Sequence, residues 1–312
     1  MRPILFHLGS VPIYSFGVLM SLAFAVAGWV MQRDFARKHE PRDLAWEIVG
    51  LGLVGGILGA RLHQAVHHWP DFVSNPLGFL TGRSGLVWYG GVIGGVIATV
   101  WPIRRSGVRY ASVLDTGALG LTIGLLIGRV GCHLSGDGDW GTPTSLPWGV
   151  AYVNGTVGWP YSPEVFVHPT ALYEMIALFG IFGLLLHLRT RVTPPGALFA
   201  IYLLLSGLTR LLVEIVRTNP SILLGLTEAQ WTSIVLNGVA ALWLWRHRVS
   251  ISTQPNLDVV FHHRGPLVAG GVIDQGVLRR GASARRDSGR SPRHARNAAA
   301  CRLTWGAVGR AA

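Results

Sequence analysis

Charge is what this 312-residue sequence has least of. Asp, Glu, Lys and Arg make up only 13% of it, against about 25% in a typical soluble domain. That deficit, with half of all residues hydrophobic, excludes an ordinary water-soluble globule of this length and leaves lipid as the medium for much of the chain. Cysteine is also scarce. Cys132 and Cys301 are the only two, too few and too far apart for a disulfide framework. The apolar runs do not alternate with polar residues, which argues against a membrane β-barrel. No small-residue cleavage site closes the first apolar run, so a cleavable signal peptide is not expected.

The net charge of +12 points less to nucleic acid than it first suggests. From Arg246 onward there are twelve arginines and three acids, a net +9 of the total. The body is nearly balanced, so no nucleic-acid partner is expected. The segment 248–312, rich in Arg, Gly, Ala and Ser without sustained periodicity, reads as a basic, disordered cytoplasmic tail. Its charge suits an anionic lipid surface.

What remains is an all-α integral membrane protein, a bundle of about seven transmembrane helices. The expected spans are Val11–Val30, Leu44–Val66, Leu86–Ile103, Ala111–Val130, Thr170–Leu188, Ala197–Val216 and Ala229–Trp245, each near the ~20 apolar residues needed to cross a bilayer. Together they form one domain over 1–247, with a small outer-face loop subdomain at 132–167. Glycine clusters at 50–59 and 90–95 let helices approach closely in lipid. Basic residues crowd alternate loops: Arg33, Arg37, Lys38 and Arg42; then Arg104, Arg105 and Arg109; then Arg189 and Arg191. By the positive-inside rule the N-terminus is outside and the C-terminus cytoplasmic, with only Arg83 in the second loop opposing the pattern.

Threading the chain through that topology brings its intramembrane polar residues to one face. Arg61, Tyr89, Arg129, His168, Tyr173, Glu174, Arg210, Glu214 and Arg217 all fall near outer span ends. Arg210, Glu214 and Arg217 share a helix face by spacing, so internal pairing is one explanation and snorkelling of Arg217 another. Arg61, Arg129 and Arg210 together are expected to exceed the nearby acids. An anion would balance them, and guanidinium suits phosphate. The stretch Gly128-Arg129-Val130-Gly131-Cys132-His133-Leu134-Ser135-Gly136-Asp137-Gly138-Asp139-Trp140-Gly141 leaves a helix end for a Gly-rich loop that can offer backbone N–H groups to an oxyanion. Its Cys, His and Asp match no strong metal spacing, and Asp137-Gly138-Asp139 lacks the later ligands of a calcium loop. His63 and His67, one turn apart with His68 beside them, read as interfacial residues more readily than as metal ligands.

These residues resemble the prolipoprotein diacylglyceryl transferase family over nearly the whole chain to about residue 247. The Gly128–Gly141 stretch is similar to the family signature Gly-Arg-x-Gly-Asn-Phe-x-Asn-Gly-Glu…Gly. Gly59-Ala60-Arg61-Leu62, Tyr89-Gly90-Gly91, His168 to Glu174 and Gly207 to Arg217 follow in the family's order. The resemblance implies transfer of a diacylglyceryl group from phosphatidylglycerol to the lipobox cysteine of prolipoprotein signal peptides, at the outer leaflet of the bacterial inner membrane, without metal or organic cofactor. It implies that Arg210 holds the phosphate and that Arg129 anchors the headgroup. Tyr89 stands where the family has its catalytic histidine. Cys132 and Ser135 stand for its asparagines, Asp137 for its glutamate and Phe16 for a first-span tyrosine. Gly128, Gly136, Gly141, Arg61 and Glu214 complete the implied substrate pocket. His168 or His133, both on the outer side, is the expected proton acceptor in place of the lost histidine. A lipid-binding protein without catalysis and an anion or lipid transporter remain rival readings, although no internal repeat of the transporter kind is evident.

Overall fold

The computed structural model describes residues 1–77 and 88–253. Arg83, the first two residues of the expected third span, and the tail from 254 with Cys301 lie outside the described residues. Among the described residues seven long helices form the body: α1 Ser15–Arg37, α2 Leu44–His67, α3 Trp88–Ser106, α4 Tyr110–Ser135, α5 Thr170–Leu188, α6 Ala197–Glu214 and α7 Glu228–Arg246. Five of them, α1, α2, α4, α5 and α6, are long and apolar enough to cross a membrane. The protein is an all-α membrane protein, with α3 and α7 packed chiefly on α2 and α6.

Local chemistry sets the ends. Gly107, at φ +70°, terminates α3, and Gly136, at φ +59°, terminates α4 with its N–H on the Cys132 carbonyl at 3.0 Å. Both use the left-handed conformation that only glycine adopts without penalty. Pro169 opens α5, and Thr227 with Gln230 forms a reciprocal capping box at the start of α7.

Three boundaries differ most from the sequence expectation. Val11–Tyr14 is not helical: it is strand β2, paired antiparallel with β1 (Ile4–Leu8), and the first helix starts at Ser15 and runs on past Arg33 to Arg37. Hydropathy alone does not separate an apolar strand from an apolar helix, but Val, Ile and Tyr favour the strand. α4 continues five residues past the expected Val130, so Gly131 to Ser135 are helical and the loop begins only at Gly136. At the chain's basic end, Ser250–Ile251 pairs with Val192–Thr193, so the backbone past position 248 is still held against the α5–α6 connection.

The core lies where α1, α4, α5 and α6 meet, around Val30, Leu119, Ile181, Leu185, Leu198 and Tyr202. Outward-facing Val54, Ile57, Val96, Ile97, Ile176 and Phe179 are exposed, as lipid-facing side chains are. At the end opposite the site described below, buried Asp34 pairs with Arg37 at 2.9 Å and Lys38 at 3.2 Å and accepts from Thr116 of α4. Asp115 of α4 accepts from the N–H groups of Gly196 and Phe199 at the start of α6. These contacts tie α1, α4 and α6 together at that end.

α2 and α3 approach each other closely, backbone to backbone. A Cβ on Gly94 would stand 2.3 Å from the Gly55 carbonyl oxygen, and one on Gly59 would stand 2.2 Å from that of Gly90. No side chain can yield there, because the clash is with backbone. Gly94→Ala is therefore expected to force the pair apart and to destabilise the protein by about 1–3 kcal/mol, the usual cost of overpacking. A lower thermal midpoint in detergent reports it, and an unchanged midpoint would contradict the packing.

Candidate functional site

The site lies at the end of the bundle where α4 and α6 finish and α5 begins. Arg129 sits six residues before the end of α4. Glu174 lies in the second turn of α5. Arg210 and Glu214 occupy the last turns of α6, with Arg217 just beyond. Residues 136–169 fold over this end. Gly141 and Arg217 form a β-bridge, the Thr142 N–H donates to the Val216 carbonyl at 2.8 Å, and Val167 pairs with Val150 and Pro143. Trp140, Tyr152 and Val167 are buried together, with Met1, Trp159 and Tyr161 against them. Gly141 is obligatory at this closure, since a Cβ would lie 2.5 Å from the Val216 carbonyl oxygen.

Three guanidinium groups and three carboxylates interlock here. Glu174 is the bridge: one oxygen pairs with Arg129 Nε and the other with Arg210 Nη1 at 2.9 Å. Arg210 Nη2 reaches Glu214 at 3.0 Å. Asp139 takes Arg129 on one oxygen and Arg217 on the other. Arg217 also stands 3.6 Å from Glu214 and 3.9 Å from Glu174. Glu214 is fully buried, its second oxygen accepting from Asn219 at 2.7 Å and Thr227 at 2.8 Å. Arg129 and Arg210, from different helices, therefore converge on one carboxylate. The expected surplus of Arg61, Arg129 and Arg210 over the nearby acids is corrected by this geometry: Arg61 is not among the arginines of the network, Arg217 is, and Arg129, Arg210 and Arg217 face three acids, Asp139, Glu174 and Glu214.

The remaining anticipated residues surround the network at varying distance. Gly128 precedes Arg129 on α4. Cys132 is a free thiol, its sulfur 3.8 Å from Arg129 Nη1. The Ser135 hydroxyl donates to the Cys132 carbonyl, while its own carbonyl accepts from Thr156. Gly136 packs against Gly155. Phe16, in the first turn of α1, lies against Gly131. Tyr89, at the head of α3, hydrogen-bonds Thr232 and Glu228 of α7. Arg61 donates to Gln64 within α2 at 3.4 Å. His168 Nδ1 is 3.1 Å from the Tyr173 hydroxyl, which accepts from Trp148 Nε1 at 2.8 Å. His133 Nδ1 is 3.0 Å from the Tyr152 hydroxyl. The rings of His63 and His67 lie 4.7 Å apart on α2. An open apolar groove of about 590 Å³ runs between α5 and α6 beside the network, lined by Trp148, His168, Tyr173, Ile176, Leu212 and Val216 among others.

Asp137, the acid singled out from the sequence, uses its carboxylate locally, accepting from the Asp139 N–H at 3.3 Å. Asp139 is the acid that the arginines take, and sequence reasoning passed it over. The Asp-Gly-Asp spacing gave no means of choosing between the two. Glu174 was visible as a polar residue in an outer turn and as the last residue of the His168–Glu174 motif, but not as a bridge between arginines, and the partners Asn219 and Thr227 carried no signal. Donor atoms of Cys132, Asp137 and Asp139 come within 4.8 Å of one another, a set capable of holding a cation. Both Asp139 oxygens are nevertheless already ion-paired with arginine.

Burial would raise the Asp139 carboxyl, but the hydrogen bond and charge of Arg217, then those of Arg129, outweigh it and hold the group below its ordinary value. A carboxyl lowered on folding adds stability above its unfolded value of about 3.9 and loses that contribution as pH falls through the lowered folded value. Asp139→Asn should therefore lower the thermal midpoint clearly at pH 7, with the gap to the parent closing below about pH 4. A gap that stayed constant into acid would show that the carboxylate charge is not what counts.

Comparison with known proteins places the chain. A family model described as prolipoprotein diacylglyceryl transferase matches residues 3–246. Relatives named phosphatidylglycerol–prolipoprotein diacylglyceryl transferase include one from Dehalococcoides mccartyi, 30% identical over 81% of this chain and 97% of the relative. One from Coxiella burnetii is 30% identical over 79% of this chain and 96% of the relative. One from Clostridium tetani is 28% identical over 70% and 87%. With its helices, its closing loop and its paired arginines in the matched segment, the chain belongs to the prolipoprotein diacylglyceryl transferase family.

Proposed function

We propose that the chain transfers a diacylglyceryl group from phosphatidylglycerol to the thiol of a lipobox cysteine in prolipoproteins, at the outer leaflet of a bacterial inner membrane. The observation that carries this reading is the meeting of Arg129 and Arg210 on the two oxygens of Glu174. In the reaction the thiol sulfur attacks the glycerol carbon that bears the phosphate ester. A carbon–sulfur bond forms, the carbon–oxygen bond breaks with its electrons kept by the phosphate, and glycerol phosphate leaves. The leaving group gains negative charge, and guanidinium donors placed in advance are the groups that stabilise it. The thiol proton goes to a base, because the thiolate is the nucleophile.

His168 is the base in this reading, with its Nδ1 engaged by Tyr173 and its other ring nitrogen left for the proton. Arg210 holds the phosphate and Arg129 the headgroup. Tyr89 and Asp137 contribute from the pocket wall, with Phe16, Arg61, Gly128, Cys132, Ser135, Gly136, Gly141 and Glu214 shaping it. The apolar groove beside His168 supports lateral arrival of lipid between α5 and α6. The distribution of basic loops supports an outside N-terminus, and no metal or organic cofactor enters the scheme. The transferase names of the relatives favour turnover over a transporter or a silent lipid-binding protein.

The test is thioether formation. Membranes bearing the chain, in a strain depleted of its own enzyme, should convert a lipobox peptide in the presence of phosphatidylglycerol. His168→Ala should lower the rate by about 10²-fold or more, the usual contribution of a positioned base. An undiminished rate in that variant would remove His168 from its role. A properly inserted parent chain that makes no product would remove the function itself.

A further inference from the structure

We propose that the β1–β2 hairpin is a leaflet-insertion element, lying at the headgroup–acyl boundary at the Arg129 end of the bundle and fixing the depth of the site in the bilayer. The hairpin precedes α1 and, apart from His7 and the Tyr14 hydroxyl, carries apolar side chains on both faces. Every residue of β1 is exposed. Phe6 is 54% exposed, Val11 57% and Leu8 71%. A two-stranded hairpin is marginal by itself in water, and this one has no third strand or covering helix among the described residues. No Asp, Glu, Lys or Arg occurs between positions 3 and 32, so the hairpin leads into the lipid-facing surface of α1 with only His7 and Ser10 as exposed polar side chains between. That continuity selects lipid as its partner.

The same geometry limits the depth. Open strand edges are not tolerated within hydrocarbon, where nothing satisfies their N–H and C=O groups. At the interface, apolar side chains enter the acyl region while the backbone keeps polar partners. The hairpin is also tethered to the site. The Arg2 N–H donates to the Leu134 carbonyl near the end of α4 at 2.9 Å, and Ser15 N–H donates to the Pro3 carbonyl at 2.8 Å. Met1 packs against the Trp140, Tyr152 and Val167 cluster. A hairpin seated in the leaflet would therefore hold the segment after Arg129 at phosphate level.

The test is nitroxide depth measurement on the full chain in vesicles of phosphatidylglycerol and phosphatidylethanolamine. A label goes on Leu8→Cys, and on Val11→Cys in a second sample, with Cys132 and Cys301 replaced by serine. Asn154→Cys, at an exposed position of the covering loop, is the aqueous control. Dissolved oxygen should relax the hairpin labels several-fold more than a water-soluble nickel chelate, with the order reversed at Asn154. High access to both reagents would place the hairpin in water and overturn the proposal. Low access to both would mean that protein covers it, a second copy or a bound peptide on its open edge, and would overturn it as well.

Discussion

Glu174→Ala is expected to destabilise the protein by about 3–5 kcal/mol, the loss typical when one member of a buried ion pair is removed, and to lower the transfer rate by more than 10²-fold. Glu174 is buried and, among the described residues, is the only carboxylate that pairs closely with both Arg129 and Arg210. Without it two guanidiniums on different helices repel each other in a poorly hydrated site, and their spacing is set only indirectly, through Asp139, Arg217 and Glu214. Glu174→Gln keeps the shape and some hydrogen bonds but not the charge, so it should retain more stability than alanine while remaining slow. Thermal midpoints in detergent and single-turnover rates on a lipobox peptide separate the two effects. A Glu174→Ala protein with near-parental rate and midpoint would show that the bridge is incidental.

Arg210→Ala is expected to abolish measurable transfer, and Arg210→Lys to restore little of it. Loss of one preorganised donor to a developing negative charge commonly costs 10²–10³ in rate. Arg210 also spans two acids with two separate nitrogens, Glu174 through Nη1 and Glu214 through Nη2. An ammonium group is a point charge without that planar fork and cannot reproduce both contacts at once. The readout is product formation at saturating phosphatidylglycerol, compared with lipid binding measured separately. Full activity in the lysine variant would mean that charge alone suffices and that the forked geometry is unimportant.

How much of this was legible in the sequence depended on which physical signal each feature leaves. α5 was readable to the residue, because Pro169 fixes one end and Arg189 follows the other across an unbroken apolar run. The start of α1 was not, since Val11, Ile13 and Tyr14 are as apolar as helix residues and hydropathy carries no information on pairing with Ile4–Leu8. The convergence of Arg129 and Arg210 followed from topology, once alternate basic loops had assigned each span a direction. The charge balance could not follow. Asp139 is recruited only because Gly141 closes on Arg217, a contact between segments 76 positions apart. Asp137, two residues earlier, offers the same chemistry to any reading of one dimension. The close approach of α2 and α3 was half visible: the glycines marked a contact, but only the three-dimensional register identifies Gly55 with Gly94 and Gly59 with Gly90.

The equal numbers of acids and bases in the Arg129 cluster bear on how a charged lipid arrives. A surplus of guanidinium would project a field into the surroundings and draw anions from afar, with a pull that weakens as ionic strength rises. A self-neutralised cluster projects little. Delivery then falls to two-dimensional diffusion within the leaflet, and capture becomes a swap in which phosphate displaces a resident carboxylate at contact range. Such an enzyme should be nearly indifferent to salt in its surroundings and sensitive instead to how crowded its leaflet is with anionic lipid.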